Sequence, residues 1–449
     1  MNRDETLFSV WLSLCTGIAN TEFASLIEQF GSAYALFRAE ESEIESLSIS
    51  DALKGKLCDK RLDEAYGIVE YCQKNGVGIL CYTDPAYPST LRAIKAPPCV
   101  LYYKGKLPDF EKRLFISMVG TRSMSEYGKE MAYRIAYELA STGTVVVSGM
   151  ALGVDAACAV GALAAKGCTV AVLGCGIDVP YPRQHERLMH AIADQGLVIT
   201  EFPPSTPPRG YHFPLRNRII SGLGAGTLVV EADLGSGALI TAREAIVQGK
   251  DIYAIPGKVG DPNTSGTNAL IRDGAAVVLS TRDLLSNYAF LYRDSVDSAR
   301  LMRAQERSDP DPAAFARYGV GLPMTSTPAK SAAEVRSEQM QAKKQTASQK
   351  QTSDTSKAQQ AQPVQIAQST EDAPEQSTVQ PHSDNSAQVL AQLSPKQREM
   401  FALIPLDKAI SADWLVRNGY PTHEVMTALT VFEIRGLLSS LPGGLYIRK

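Results

Sequence analysis

The chain has 449 residues, too many for one ordinary domain, and 44% of them are hydrophobic, enough for more than one core. A net charge of −3 and a pI near 6.1 exclude a wholly basic, histone-like nucleic-acid binder but leave room for a local basic site. No run of 18 apolar residues occurs and acidic residues precede the apolar stretch of MNRDETLFSVWLSLCTG, so neither a membrane span nor a signal peptide is expected.

The first 110 residues read as a helical domain. DETLFSVWLSL and EFASLIEQFGSAYALFRA place apolar residues three and four apart, and Gly31 stops one helix. The turn CTGIAN between helical stretches resembles a helix-hairpin-helix (or SAM-like) unit. Such units either offer hairpin amides to a DNA backbone or serve as packing modules, and both readings stand. The eight cysteines, at 15, 58, 72, 81, 99, 158, 168 and 175, form no CxxC pair and no ligand spacing with the five histidines. Reduced, buried thiols are expected, without metal or other cofactor.

From residue 111 to about 300, apolar β-rich runs alternate with helical segments. RLFISMVG, TVVVSG, TVAVLG, LVITEF, TLVVEA, DIYAIPG and AAVVLS are each followed by a helical pattern. Near-continuous apolar strands alternating with helices predict an α/β domain: a Rossmann-like, doubly wound, mostly parallel sheet covered on both faces.

Ligands of such sheets bind beyond the carboxyl ends of the strands. Those ends carry VGTRSMSEYG, SGMALGVDAA, LGCGIDVPYPRQ, EADLGSGALITA and IPGKVGDPNTSGTNALI. Small residues allow close backbone approach, and helix N-termini favour anions, so neighbouring loops of this kind predict a phosphate-binding rim. Neither GxxxxGK[ST] nor GxGxxG is present, which argues against a P-loop nucleotide hydrolase and a dinucleotide enzyme. The loop cations Arg122, Arg183, Arg209, Arg216, Arg218 and Lys258 are offset by Asp155, Asp178, Glu201, Glu231, Asp233 and Asp261, so charge count alone marks no groove. In FPLRNRIISGLG, arginine forks suit phosphate oxygens, Asn217 suits backbone groups and Phe213 suits a nucleobase. One of Arg216 and Arg218 is expected to meet the ligand and the other to bridge to an acid such as Glu231.

Between 301 and 390 the composition changes. Gly319–Met400 contains no aromatic residue, and thirteen glutamines fall between Gln339 and Gln388, as expected of a disordered linker. Residues 391–449 read as a winged helix. Thr422 is an N-cap, Gly419 and Gly436 are helix stops, and Pro442-Gly443-Gly444 turns a hairpin. Its would-be recognition helix carries Glu424 and Glu433 against Arg435, which favours protein contact or weak DNA contact over duplex sequence reading.

VGTR, SGMALGVDAA, AVLGCGIDVPYP, FPLRNRIISGL, VVEADLGSGALITAREA, AIPG and GTNALIRDGA follow one another in the order that resembles the DNA-processing protein A (DprA, or Smf) family, over about Arg113–Ser280. The resemblance implies a cytoplasmic bacterial protein of natural transformation. It would bind incoming single-stranded DNA, protect it, help load the RecA recombinase for homologous recombination and form a homodimer through the Rossmann domain. It implies that Arg122 grips a phosphate, that Phe213 contacts a base, and that Gly120, Ser148 and Gly149 line the pocket. The full expected nucleic-acid-binding set is Gly120, Arg122, Ser148, Gly149, Arg183, Arg209, Phe213, Arg216, Asn217, Arg218 and Lys258. Leu152 and Ala159 stand where the family pattern commonly has arginine and histidine, and Gly210 where it often has a basic residue, with Arg209 adjacent. Two alternatives remain. One is a nucleotide phosphoribohydrolase-type enzyme using Glu201 or Glu231, although its PGGxGT-type loop is missing. The other is an interaction scaffold with a vestigial pocket.

Overall fold

The computed structural model describes residues 3–320 and, in the tail, 395–405 with a subset of positions between 410 and 448. The chain divides into two compact units, Met1–Met340 and Gln341–Lys449.

All seven expected strands form. They are β3 (Phe115–Val119), β4 (Val145–Ser148), β5 (Thr169–Val172), β6 (Leu197–Thr200), β7 (Gly226–Val229), β8 (Asp251–Ala254) and β9 (Ala276–Val277), and each neighbouring pair among them is parallel. The front segment departs from expectation. It is helical from Arg3 to Lys74, and then supplies β1 (Gly78–Cys81) and β2 (Val100–Gly105). These two pair antiparallel with each other, and β2 pairs antiparallel with β6, so the sheet has nine strands in the order β1-β2-β6-β5-β4-β3-β7-β8-β9. The 110-residue segment is therefore partly a sheet edge.

Strand alternation divides the core. Ile116, Met118 and Val146 face one apolar cluster, whereas Phe115, Val119, Val145 and Val147 face the other. The first face is covered by the helices Glu126–Ser141 and Val154–Ala164, the second by His212–Leu223 and Ala238–Val247. Each fully buried Val or Ile side chain adds about 1.5–3 kcal/mol to this packing. On the first face a Cβ at Gly161 would stand 2.3 Å from the Tyr133 carbonyl oxygen, so the two helices approach as closely as they do only with glycine there.

Folding continues past residue 300. The helices Ser298–Gln305 and Pro312–Arg317 belong to the larger unit, Phe315 is buried with its ring 5.6 Å from that of Tyr133, and the Ser308 hydroxyl donates to Glu138 (2.8 Å). The first twenty residues of the expected linker are thus ordered, and 321–390 lie outside the described residues. In the tail, the helix Pro395–Leu403 accompanies the antiparallel strands β10 (Ile410–Ser411), β11 (Leu438–Leu441) and β12 (Leu445–Arg448), in the order β10-β12-β11. Met400, Phe401, Leu415, Val425, Leu429 and Phe432 form its core. Gly419, Thr422, Glu424, Glu433, Arg435, Gly436 and the turn 442–444, on which the winged-helix reading rests, lie outside the described residues. Among the described residues no helix is long and apolar enough to cross a membrane.

Candidate nucleic-acid interface

Strand order reverses beside β3: successive crossovers run to β4, β5 and β6 on one side and from β7 to β9 on the other. Beyond the carboxyl ends of β3 and β7 this leaves a crevice, the usual ligand position in an open α/β sheet. It is an open cleft of ≈ 400 Å³ whose walls include Gly120, Arg122, Phe213, Asn217 and Ser236. First-turn residues of three helices line it: Asp155 of Val154–Ala164, Pro214 of His212–Leu223 and Ala238 of Ala238–Val247. Three positive dipole ends therefore converge where an anion would sit. The loops are joined to one another, since the Thr121 amide donates to the Glu231 carbonyl (2.7 Å) and the Val154 amide to the Thr121 carbonyl (3.1 Å).

Arg216 forms the floor. It is 4% exposed, and its Nη1 donates to the Gly149 carbonyl (3.0 Å) and to the Val172 carbonyl, tying the ends of β4 and β5 together. Gly149 is glycine for this reason: a Cβ there would stand 2.6 Å from Arg216 Nη2. Asp155 accepts from the amides of Gly149 (3.2 Å) and Ala151 (3.4 Å). Burial draws the Arg216 guanidinium down to about 10, with Asp155 acting against that shift, and burial pushes Asp155 up. At neutral pH Arg216 keeps its charge beneath the cleft while backbone carbonyls hold part of its fork.

Arg218 faces elsewhere, which corrects its expected ligand role. It is 6% exposed and its Nη2 donates to both oxygens of Glu201, each at 2.7 Å. The bridging arginine and acid are thus Arg218 and Glu201. Glu201 also accepts from the Ala19 amide (3.3 Å), in the CTGIAN turn of the front helices. That hairpin amide is directed inward, toward the sheet. Glu231 has other partners: it accepts from the Ser125 amide (2.8 Å) and hydroxyl (2.5 Å), and Ser125 in turn caps the helix Glu126–Ser141. Both acids are held by donors of the fold, and burial raises the carboxyl of each. Neither is placed with a nucleophile and an orienting group in the way that acid–base catalysis requires.

Ser148 is a second correction, because its hydroxyl is buried and donates to the Met118 carbonyl (2.7 Å), tying β4 to β3. Arg183 is exposed on the turn Arg183–His185 and is not among the residues that line the cleft. Exposed Arg209 donates to the Tyr211 hydroxyl (3.2 Å), and exposed Lys258 borders a separate cavity beside Ser125 and Glu231.

Phe213 opens the helix His212–Leu223, where Pro214 is tolerated because first-turn amides have no helical acceptor. The preceding His212 fixes the start of this helix, its Nδ1 lying 3.2 Å from the Gly174 carbonyl and its ring stacked 4.3 Å from Phe202. Phe213 is half-buried. The exposed Arg122 guanidinium lies over its ring, 5.5 Å from the centroid, and Tyr181 lies 5.2 Å away at 32°. Tyr181 and the Ser236–Ala238 turn were absent from the expected set. Their signal was position alone, in the strand-end stretches LGCGIDVPYPRQ and EADLGSGALITA.

The family model described as DNA recombination-mediator protein A matches residues 78–289, beginning at β1. DNA processing protein DprA of Bacillus subtilis is 35% identical over 238 residues, covering 52% of this chain and 80% of that protein. Its Streptococcus pneumoniae counterpart is 39% identical over 230 residues, covering 51% and 80%. The solved structure of DNA processing protein A from Streptococcus pneumoniae superposes with a TM-score of 0.55 at 33% identity, covering 63% of this chain and 97% of that one.

Proposed function

We propose, on the premise that the chain belongs to the DNA recombination-mediator protein A family, that its cleft holds the sugar–phosphate backbone of single-stranded DNA. The observation that carries this reading is Arg122. It is an exposed guanidinium at the sheet's switch point, set against an aromatic ring and facing a cleft bordered by three helix N-termini. Phosphates suit the cation and the dipoles, while unpaired bases suit the rings. A duplex presents phosphates but keeps its base faces stacked inside, so the rings favour the single strand. The family is one of recombination mediators rather than catalysts, in keeping with acids that are hydrogen-bonded within the fold.

In this role the protein would take up the incoming strand in natural transformation, shield it in the cytoplasm and pass it to the RecA recombinase as a homodimer joined through the sheet domain. The tail would act as a winged helix in protein contact or weak DNA contact, rather than in duplex sequence reading. Binding of fluorescent oligo-dT and of a matched duplex across a NaCl series tests the central reading. The single strand binds more tightly, and Arg122→Ala weakens binding and flattens the slope of log K against log salt by about 0.7 for one lost phosphate contact. An Arg122→Ala slope equal to the parent's overturns the assignment.

A further inference from the structure

We propose that Tyr181 is a DNA-contacting residue, its outward face being the surface on which a nucleobase stacks, with Phe213 as the ring that backs it. This rests on the single-strand reading above.

The argument begins with Phe213, whose surroundings leave little free ring. The Arg122 guanidinium covers it at 5.5 Å, Arg216 approaches to 6.0 Å, and Tyr181 lies 5.2 Å away. A Cβ at Gly174 would stand 2.8 Å from the Phe213 ring, so the backbone after β5 closes another side. A base inserted between Tyr181 and Phe213 would need the rings roughly 7 Å apart, twice the optimal carbon–carbon contact. They are closer than that, so no base fits between them.

The recess beneath the pair does not admit a base either. Its walls include Leu152, Cys175, Pro182 and both rings, and it encloses ≈ 40 Å³. That is far below the roughly 300 Å³ at which pockets for small organic ligands begin. The surface that remains is Tyr181 itself, which is 38% exposed and whose hydroxyl has no hydrogen-bond partner among the described residues. Internal contacts account for its inner face only. Tyr181 also sits in a loop distinct from the loop that carries Arg122 and from the helix that carries Phe213, at the third strand end of the rim. A strand whose phosphate meets Arg122 thus has an aromatic face within reach of an adjoining base. Base–aromatic stacking tolerates any sequence, because every base has a π face.

The test measures oligo-dT affinity across a salt series together with tryptophan emission. Tyr181→Ala weakens binding about fivefold or more with an unchanged salt slope, since stacking but no phosphate contact is lost. Tyr181→Phe binds like the parent. In Tyr181→Trp, oligo-dT quenches emission beyond any change that Trp11 and Trp414 give in the parent. The proposal is overturned if Tyr181→Ala binds as the parent does and Tyr181→Trp is not quenched. It is also overturned if Tyr181→Ala flattens the salt slope as Arg122→Ala does, because the residue would then act only by placing the cation. A parent that binds no oligonucleotide overturns the cleft reading itself, and the two failures are thereby told apart.

Discussion

Arg216 and Arg218 lie two positions apart on one helix, so their side chains leave it in different directions and cannot share a role. Arg216 reaches the carbonyl ends of β4 and β5, and Arg218 reaches Glu201. The split was legible from helical spacing. Which arginine goes where was not, because the helix's rotation on the sheet is set by packing of Ile219, Ile220 and Leu223 into the second core cluster. The Arg218–Glu201 pair is buried on both sides, and Arg218 Nε has no hydrogen-bond partner. Removing one partner strands a buried charge. Arg218→Ala is therefore expected to destabilise the larger unit by about 3–5 kcal/mol in denaturant unfolding, whereas Arg218→Met combined with Glu201→Leu costs much less. Equal losses in the single and double variants would show that packing, not charge, sets the penalty.

At the scale of elements, the seven parallel strands were legible because strands buried on both faces read as short apolar runs between glycine-rich turns. β1 and β2 were not. GILC is four residues long and VLYYKG ends exposed, and their antiparallel place beside β6 is a tertiary matter. Tyr181 was hidden for a related reason: a loop has no periodicity to mark its exposed side chains. Two loops at the rim are held by imidazoles. His185 Nδ1 lies 3.0 Å from the carbonyl of Met150, whose φ of 56° is left-handed, and His212 Nδ1 contacts Gly174. Burial lowers both histidines from the ordinary 6.5. The folded protein thus resists protons that the unfolded chain accepts. This stability is complete above pH 6.5 and is lost as pH falls from there through the folded-state values. Between pH 7.5 and pH 5 the melting temperature of the parent is expected to move downward relative to that of His185→Gln, whose raised buried carboxyls are the same. An unchanged slope in that variant would remove His185 from the explanation.

For the whole molecule, a net charge of −3 means that attraction for a polyanion is local, confined to the rim of the sheet. The front helices are fastened to that rim through the Ala19 amide and Glu201, whose partner Arg218 lies on the helix His212–Leu223 that carries Phe213. The CTGIAN turn therefore has a packing contact at one of the amides that the sequence alone offered to DNA. The most direct test of the central claim is a crystal structure of the chain with a short oligo-dT. The account predicts a phosphate within hydrogen-bond distance of the Arg122 guanidinium, over the first turn of the helix Ala238–Val247. A strand bound on another face, with the cleft between β3 and β7 left vacant, would contradict it.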